Sequence, residues 1–489
     1  MYHVSDLKRF QRCPKLYYLM RNEGKSSRID FVRVDEAVSI LGAKKLGIKT
    51  AFVGKTGDSN EVSFKGMNDY KWLIKSRFEY DELRVKIPFL QKTEEGWNAY
   101  FIHVGIFPRD NHLEYYAMNL WVLGKLGIKV NRVYVIHFNK EYIREGDLNY
   151  NKLLTVSDCF YNQSHNPSKN ITEAWKAWNY DYEKNLTCLK GFQIETFQTE
   201  RKAGCHRRME CPYYNHCFDN HELSDDSILF LMAFTDKYKF YQKGYRHFDD
   251  LPLTKIDLSK QQYAQIMAHR NGGLFLDKAA LRFWMKEHIV TPVSFLDFEW
   301  DTYAIPPYHK MAPFQVLPFQ YSLHVLEEEL KHYEYIGFED CREAFIKHLL
   351  SSLPKEGSIL AYNAEGGEVL RLEELKRDFP AYAKEIEGII NRLVDISIPY
   401  SLGMVYSTKM RGNYSIKSIL PTIDYHLDYD NLDIGKAMDA VTTWRTLTKE
   451  EIDHKVVDDL LAYCAMDTYA LYVLYEWLKQ KVLKEGENA

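Results

Sequence analysis

The sequence predicts an α/β protein with more than one domain. The chain has 489 residues, more than a single hydrophobic core normally organises. Its C-terminal part alternates short apolar segments, rich in β-branched and aromatic residues, with longer segments of helical periodicity. A cysteine cluster ends the first of two earlier zones, and the second, which is rich in helical patterns, contains a polar break at Asp249-Asp250-Leu251-Pro252.

Three zones follow from these boundaries. Residues 1–222 form a first domain that ends at the cysteine cluster. Residues 223–290 have mainly helical patterns and are predicted to be a helical linker. Residues 291–489 begin with an apolar strand and end with a long helix, which predicts a second α/β domain.

Composition and charge limit the classes of function. Hydrophobic residues make up 46% of the chain, as in soluble globular proteins, and the net charge is −4. This balance argues against a surface that coats DNA, but not against an enzyme with an acidic metal site. No segment approaches the roughly 20 apolar residues needed to span a bilayer, and the N-terminus lacks the apolar centre of a signal peptide. We therefore expect a cytoplasmic protein without membrane contact, whose eight cysteines are thiols or metal ligands.

In the third zone, the pattern predicts strand, strand, strand, helix, strand, helix, strand, helix, which is the order of the RNase H-like fold. The predicted strands are 292–300, 316–325, 332–337, 358–362 and 394–398. The predicted helices are 342–353, 368–393 with an interruption at Pro380, and 450–482.

Two carboxylates share one face of the first strand of this zone. Residues two apart on a strand point the same way, so Asp297 and Glu299 lie side by side, while Leu296 and Phe298 face the other way. Adjacent carboxylates in an apolar strand repel each other and lose hydration. A divalent cation would offset that cost, and a strand end whose acids reach water explains the pair equally well.

Two further pieces lie on the middle and last predicted helices. Tyr463 and Asp467 are one helical turn apart, at the edge of the apolar stripe of the final helix. Asn363 follows the fourth strand, and Glu368 stands at the start of the middle helix. An acid at a helix start is stabilised by the helix dipole, so Glu368 is either a helix-capping acid or a further metal-site carboxylate.

Together these pieces resemble the DnaQ-like 3′–5′ exonucleases of the RNase H-like superfamily, whose site contains four acidic residues and a tyrosine. Their first motif, Asp-x-Glu, is matched by Asp297 and Glu299. Their third motif, Tyr-x-x-x-Asp, is matched by Tyr463 and Asp467.

The second motif of that group, Asn-x-x-x-aromatic-Asp, is matched in spacing from Asn363 to Glu368. Here Glu368 replaces the aspartate, and Gly367 replaces the aromatic residue. Glu365 competes with Glu368 for the role, so this assignment is left open between the two acids.

The resemblance implies a 3′–5′ exonuclease that uses two Mg²⁺ or Mn²⁺ ions to hydrolyse phosphodiester bonds. It implies that Tyr463 orients the attacking water, and that Asn363 and Lys417 contact the substrate. For Lys417, a solvated surface lysine is an equally good interpretation. The metal ligands implied are Asp297, Glu299, Glu368 and Asp467.

A second pattern lies in the first zone. Cys205, Cys211 and Cys217 have five residues between neighbours, and Cys13 lies far upstream. Zinc sites usually pair cysteines two to four apart. The wider spacing resembles the iron–sulfur staple of RecB-like nucleases, where an early cysteine followed by proline joins three late ones around a [4Fe–4S] cluster. A zinc site and plain thiols are the lesser alternatives, with His206 and His216 as substitute ligands.

The other four cysteines have no partner pattern and are expected to be buried packing residues. They are Cys159, Cys188, Cys341 and Cys464.

RecB-like nucleases also carry an Asp, then Glu-x-Lys, on adjoining strands. Lys86 stands where the Asp is expected, and Phe101 and His103 stand where the Glu and Lys are expected. We therefore predict a degenerate RecB-like, restriction-endonuclease-type fold that does not cleave nucleic acid. Lys86, His103, His112 and Arg109 either grip nucleic acid in a positive groove or belong to a structural remnant.

Nearly the whole chain resembles an uncharacterised bacterial family in which a RecB-like domain precedes a DnaQ-like domain. Residues 317–324 and 412–421 carry this likeness in the C-terminal zone. The expected partner is nucleic acid, with DNA favoured over RNA by the RecB-like neighbour. Two alternatives are kept: a non-catalytic nucleic-acid-binding adaptor, which the unusual second motif favours, and a ribonuclease of the same fold.

Overall fold

A computed structural model describes residues 1–24, 34–205, 210–219, 222–423, 437–447, 450 and 452–483. The chain forms two compact units. The first contains Met1–Phe218 and Tyr303–Gln315, and the second contains Asp219–Thr302 and Val316–Ala489. Both units contain β-sheet and helices, which confirms a multidomain α/β protein.

The first unit is built on one large sheet. Its strands are β1 (Tyr2–His3), β2 (Phe52–Val53), β3 (Trp72–Tyr80), β4 (Leu83–Thr93), β5 (Gly96–Ile102), β6 (Val130–Phe138), β7 (Leu154–Ser157), β8 (Cys159–Tyr161) and β9 (Pro167–Asn170). Its helices are α1 (Val4–Arg12), α2 (Pro14–Asn22), α3 (Asp35–Lys45), α4 (Asn60–Asp69), α5 (Leu113–Lys125), α6 (Tyr150–Leu153), α7 (Ile171–Lys176), α8 (Tyr182–Lys190) and α9 (Tyr214–Cys217).

The large sheet has the order β2-β3-β4-β5-β6-β7, with β1 paired to β4, and β8 and β9 form a separate hairpin. Strand β4 shows why this sequence is a strand: Leu83, Val85 and Ile87 are buried and alternate with the more exposed Arg84 and Lys86. Lys86 lies on β4 and Phe101 on the adjoining strand β5, and His103 follows the end of β5.

Residues 303–315 belong to the first unit, although β-strands of the second unit precede and follow them in sequence. The Phe314 ring packs edge-on against Phe138, with ring centroids 5.2 Å apart. The Arg144 guanidinium donates to the carbonyls of Pro306 at 2.9 Å and Pro307 at 2.6 Å. This 303–315 segment is therefore held by side-chain packing and hydrogen bonds within the first unit.

The second unit combines a five-stranded sheet with a smaller one. Its strands are β10 (Leu274–Leu276), β11 (Val293–Thr302), β12 (Val316–Leu326), β13 (Leu330–Ile336), β14 (Ser358–Ala361), β15 (Leu393–Asp395) and β16 (Val405–Ser407). Its helices are α10 (Lys237–Gln242), α11 (Lys260–Arg270), α12 (Lys278–His288), α13 (Arg342–Ser352), α14 (Glu368–Asp378), α15 (Ala383–Ile390), α16 (Ile398–Ser401), α17 (Ile416–Ile419), α18 (Ala437–Trp444) and α19 (His454–Leu483).

The five-stranded sheet has the order β13-β12-β11-β14-β15. Strand β11 is central, antiparallel to β12 and parallel to β14. The elements predicted for this zone are observed. The interruption predicted at Pro380 is confirmed, since α14 ends at Asp378 and α15 begins at Ala383. The fifth strand and the last helix differ in extent: β15 ends at Asp395 rather than at residue 398, where α16 begins, and α19 begins at His454 rather than at residue 450.

Residues 223–290, predicted to be a helical linker, contain α10, α11 and α12 and fall within the second unit. Leu281 and Trp284 of α12 are buried in a core shared with Leu474 of α19. Strand β10 pairs antiparallel with β16, a strand pair that the sequence did not predict. Within the described residues, no helix combines the length and apolar character that crossing a membrane requires.

Candidate metal centre

Strand β11 presents Asp297 and Glu299 on one face. Their register partners on β12 are Ser322 and Gln320, so these four side chains share that face of the sheet. Leu296 and Phe298 on the opposite face are buried. The strand register shifts immediately after Glu299, at a bulge that ends the regular alternation.

Helix α19 brings the third carboxylate to this face. Gln320 Nε2 donates to the carbonyl of Leu460 at 2.7 Å, which ties the helix to β12. One oxygen each of Asp297, Glu299 and Asp467 lies within 4.8 Å of the others. Tyr463, one turn before Asp467, is buried beside them.

The electrostatics of this group are those of crowded, buried acids. Burial raises the pKa of Asp297 well above its usual range, and the neighbouring Asp467 and Glu299 raise it further. Burial and then Asp467 raise the pKa of Glu299 to about 8, while Lys417 opposes the shift. The site thus concentrates negative charge that a divalent cation would offset.

The structure distinguishes between the two acids of the second motif. Glu368 begins α14 and is buried, whereas Glu365 is exposed. Burial raises the pKa of Glu368 to about 7, and its charge in turn raises the pKa of Asp297. Glu368 Oε2 is buried without a hydrogen-bond partner. Glu368, and not Glu365, is therefore the acid placed beside Asp297.

These residues fit a divalent cation with oxygen ligands. Three carboxylate oxygens already converge, and a fourth buried carboxylate has an oxygen left unsatisfied. Buried polar atoms are normally hydrogen-bonded, so an unpartnered carboxylate oxygen on a residue that acts electrostatically on Asp297 and Glu299 is the arrangement expected of a ligand-binding position. Carboxylate oxygens are the ligands that Mg²⁺ and Mn²⁺ prefer.

The remaining predicted residues lie around this group with differing exposure. Burial, and then Asp467, raise the pKa of Tyr463 well above its usual range. The exposed Lys417 on α17 has its ammonium 5.3 Å from the centre of the Tyr463 ring. Asn363 is exposed in the turn before α14, with a left-handed φ of 56°, and its carbonyl accepts from Gly366 and Gly367. Its predicted substrate contact stays a prediction.

Two features of the site were not predicted. The buried Cys464 thiol donates to Asp297 Oδ2 at 3.6 Å, so this packing residue also contacts a candidate ligand. A β-carbon added to Gly367 would lie 3.9 Å from Trp300 Cη2, so an aromatic ring from β11 lies beside the glycine that replaces the motif's aromatic residue. The position of Cys464 between Tyr463 and Asp467 in the sequence could have indicated that its thiol lies close to the candidate ligands.

The four cysteines of the first-unit pattern line one pocket. Cys13 caps the N-terminus of α2, Cys217 ends α9, and the Cys211 N–H donates to the Cys205 carbonyl at 2.7 Å. Burial raises the pKa of the Cys211 thiol, and the nearby Cys205 and Cys13 raise it further. The fold of the first unit therefore brings Cys13 to the same pocket as the three cysteines that lie about 200 residues later in the sequence.

The cysteine group and the carboxylate group differ in the distances between their potential ligand atoms. Among the described residues, Asp297, Glu299 and Asp467 form the only set of three or more potential ligands with all ligand atoms within 4.8 Å. Thiolates about 2.3 Å from one tetrahedral zinc would lie about 3.8 Å apart. The cysteine sulfurs are therefore more widely spread than a zinc site requires. His206, a substitute ligand in the sequence, lies outside the described residues.

The other cysteines differ in burial. Cys341 and Cys464 are buried as predicted, and Cys159 is half-buried. The expectation for Cys188 was wrong, because this residue is exposed on α8.

The positions where a RecB-like nuclease would carry its acids hold other groups. Lys86 is exposed on β4, and Phe101 is buried with its ring 4.7 Å from that of Tyr116. His103 follows β5 and lies 4.6 Å from His112, ring centre to ring centre. Burial, then His112 and His137, lower the pKa of His103 to about 4. Neither Lys86 nor Phe101 can ligate a metal ion through carboxylate oxygens.

Comparison with known proteins adds one match. A family model described as a domain of unknown function (DUF2779) matches residues 294–415. The match includes Asp297, Glu299 and Glu368 and ends before Tyr463 and Asp467. No curated protein and no solved structure matches the chain. The stretch from β11 to the turn before α17 is thus similar to a family whose activity its description leaves open.

Proposed function

We propose that the second unit is a metal-dependent 3′–5′ exonuclease that hydrolyses phosphodiester bonds of nucleic acid, with DNA favoured over RNA. The observation that carries this proposal is the meeting of Asp297, Glu299 and Asp467 within 4.8 Å. They come from the central strand and the last helix, where the DnaQ-like resemblance expects its first and third motifs. The order of elements from β11 to α19 supports an RNase H-like fold for this part of the chain.

Each residue has a role that follows from its chemistry. Asp297, Glu299 and Asp467 would hold metal, and Glu368 would add a ligand through its unpartnered Oε2. Mg²⁺ or Mn²⁺ bound by these residues would supply activation of a water molecule and stabilisation of the leaving 3′ oxygen. The Tyr463 phenol carries its proton at neutral pH, as tyrosine ordinarily does, and its raised pKa extends that state to higher pH. Its hydroxyl can therefore orient the attacking water.

The exposed ammonium of Lys417, close to the Tyr463 ring, would contact a substrate phosphate. Its attraction for anions also stabilises the charged form of Glu299. The positive charge of Lys417 would therefore both favour the ionised form of Glu299 and attract a substrate phosphate.

The test is digestion of end-labelled DNA and RNA strands with Mg²⁺ or Mn²⁺. Wild-type protein should shorten strands from the 3′ end, and Asp297→Asn should abolish both the shortening and Mn²⁺ binding. Glu365→Gln is the matched control, because this exposed acid lies three residues before Glu368 and should leave activity unchanged.

Three outcomes separate the candidate functions. Faster shortening of DNA supports the proposal as stated. Shortening of RNA alone would establish the ribonuclease alternative. If folded wild-type protein binds both strands and shortens neither, the protein is a binding adaptor and the exonuclease proposal fails.

We further propose that Cys13, Cys205, Cys211 and Cys217 hold a [4Fe–4S] cluster in the first unit. Four thiols around one pocket, spread more widely than one zinc ion needs, support this assignment. A cluster would join α2 to α9 and so connect the two ends of residues 1–222. The same unit would not cleave nucleic acid, because Lys86 and Phe101 stand where metal-binding acids are required.

Anaerobic purification tests the cluster. Wild-type protein should be brown with broad visible absorbance, and Cys211→Ser should lose the colour and the iron. Cys188→Ser, a change at an exposed cysteine outside the pocket, should keep both. Colourless wild-type protein containing stoichiometric zinc would overturn the assignment.

A further inference from the structure

The first unit contains a cavity of about 500 Å³ with a basic lining. Among the described residues, the basic side chains that line it are Lys55, Lys75, Arg77 and Lys86, and the acid that lines it is Glu36. Thr56 and Tyr115, which carry hydroxyl groups, also line this space. The chain as a whole has a net charge of −4, so this concentration of positive charge is local.

Strand pairing places these cations on one face of the sheet. Arg77 on β3 and Lys86 on β4 are register partners, so their side chains lie side by side. Lys75, two residues before Arg77, lines the same cavity. Pairing with β4 is regular at Ile74 and Ser76 on either side of it.

Two backbone features accompany the cluster of basic residues that lines the cavity: a strained conformation at Lys75 and a close approach by Gly54. Lys75 has a left-handed φ of 53° inside a strand, a conformation that costs energy for any residue except glycine. Gly54 lies against it: a β-carbon there would come within 2.4 Å of the Lys75 carbonyl oxygen. Only glycine allows this approach, which brings the following Lys55 beside Lys75.

Two acids act on the cations of this cavity. The Lys75 ammonium pairs with Glu36 at 2.5 Å, and Lys75 and then Lys86 hold the pKa of Glu36 below its usual value. Burial lowers the pKa of Arg77, and Asp58 opposes that shift. Four basic side chains line the same cavity, and an anion that enters it would lower their mutual repulsion.

We propose that this cavity binds phosphate groups of a nucleic-acid strand. Guanidinium and ammonium donors are the groups that recognise phosphate oxygens, and the hydroxyls of Thr56 and Tyr115 can add hydrogen bonds. The assignment of a nucleic-acid strand rests on the proposed function, whereas the affinity for phosphate follows from the cavity alone. Lys86 stands at the position where a RecB-like nuclease would hold a metal-binding acid. Its ammonium group would here pair with a substrate phosphate without an intervening metal ion.

Equilibrium binding of a fluorescent single-stranded oligonucleotide, measured in EDTA so that no cleavage occurs, tests the proposal on the full chain. The test variant is Lys55→Ala/Lys86→Ala, because both side chains are exposed and their removal should not disturb the core. The matched control is Lys65→Ala/Lys184→Ala, which removes two exposed lysines of the same unit outside the cavity. The cavity variant should bind the oligonucleotide about tenfold more weakly. The slope of log K against log salt concentration should fall by the amount expected for the loss of about 1 to 2 phosphate contacts, and the control should match wild type in both quantities.

Two further measurements keep this proposal distinct from the exonuclease proposal. Hydrolysis of a small chromogenic phosphodiester with Mn²⁺ should be unchanged in the cavity variant, because only the carboxylate site acts on it. If the variant binds the oligonucleotide as wild type does, the cavity inference fails while the exonuclease proposal stands. If inorganic phosphate or a mononucleotide binds the cavity as tightly as the oligonucleotide, the occupant is a small phosphate compound and the assignment of a strand is wrong.

Discussion

At the scale of single residues, Glu299 connects metal binding to stability. Its pKa in the folded protein is about 8, against an ordinary value of 4.5, so the folded state binds a proton that the unfolded state releases. By linkage, the stability from the protonated form is fully present below about pH 4.5 and is lost as pH rises through about 8. The metal-free protein should therefore lose stability across this range.

Glu299→Gln cannot ionise and so escapes this loss. Metal-free Glu299→Gln protein should melt about 2 °C or more above wild type at pH 8.5, with the difference shrinking towards pH 5. Thermal melts in EDTA check the expectation. Added Mn²⁺ should reverse the order, because it stabilises only the protein that keeps the ligand. Equal melting points at both pH values would show that Glu299 is not held in a charge-repelling site.

The same residues show what sequence can predict about a site. Asp297 with Glu299, and Tyr463 with Asp467, follow from the periods of strand and helix, since spacing alone decides which side chains share a face. The choice between Glu365 and Glu368 depends on where the turn after β14 ends, which spacing does not determine. Trp300 beside Gly367 is a contact between distant segments that no local pattern records.

At the scale of elements, the docking of α19 on β12 positions Asp467. The buried Thr468 hydroxyl lies 2.7 Å from Ser322 Oγ and 2.8 Å from His324 Nδ1. Burial, and then His332, lower the pKa of His324 to about 4, so its ring is neutral near pH 7 and acts as a hydrogen-bond partner. These bonds fix the helix one residue away from a candidate ligand.

Thr468→Val keeps the side-chain shape and removes those bonds. We expect the second unit to lose about 1–2 kcal/mol of unfolding free energy, because two buried polar groups lose a partner. Mn²⁺ affinity should fall by about tenfold as Asp467 loosens. Denaturant unfolding and Mn²⁺ titration measure the two effects, with the exposed Thr446→Val as control. Loss of stability without loss of affinity would mean that α19 positions Asp467 by other contacts.

The five strands of the larger sheet and helices α13, α14, α15 and α19 were predictable because their patterns are local and strong. Pro380 was recognised as the interruption between α14 and α15. The β10–β16 pair was missed, because strands of three residues carry little pattern and their partners lie far apart in sequence.

At the scale of the whole molecule, the chain enters the first unit twice. A fragment of residues 1–222 would lack the 303–315 segment and expose the surface of Phe138 that Phe314 covers. We expect this fragment to melt several degrees below the same fragment mixed with excess 303–315 peptide. A peptide carrying Phe314→Ala should stabilise it less. If the peptide neither binds nor stabilises the fragment, the segment contributes nothing to the first unit.

The first unit is formed by two separate stretches of the chain, and this has a consequence for recombination between the units. The DUF2779 match, residues 294–415, contains the 303–315 segment, so the matched stretch includes a segment that belongs to the first unit. A recombination event at a single point between the units would separate that piece from the surface it covers. A chain shortened to residues 219–489 would keep the 303–315 segment and lose the Phe138 surface that Phe314 covers.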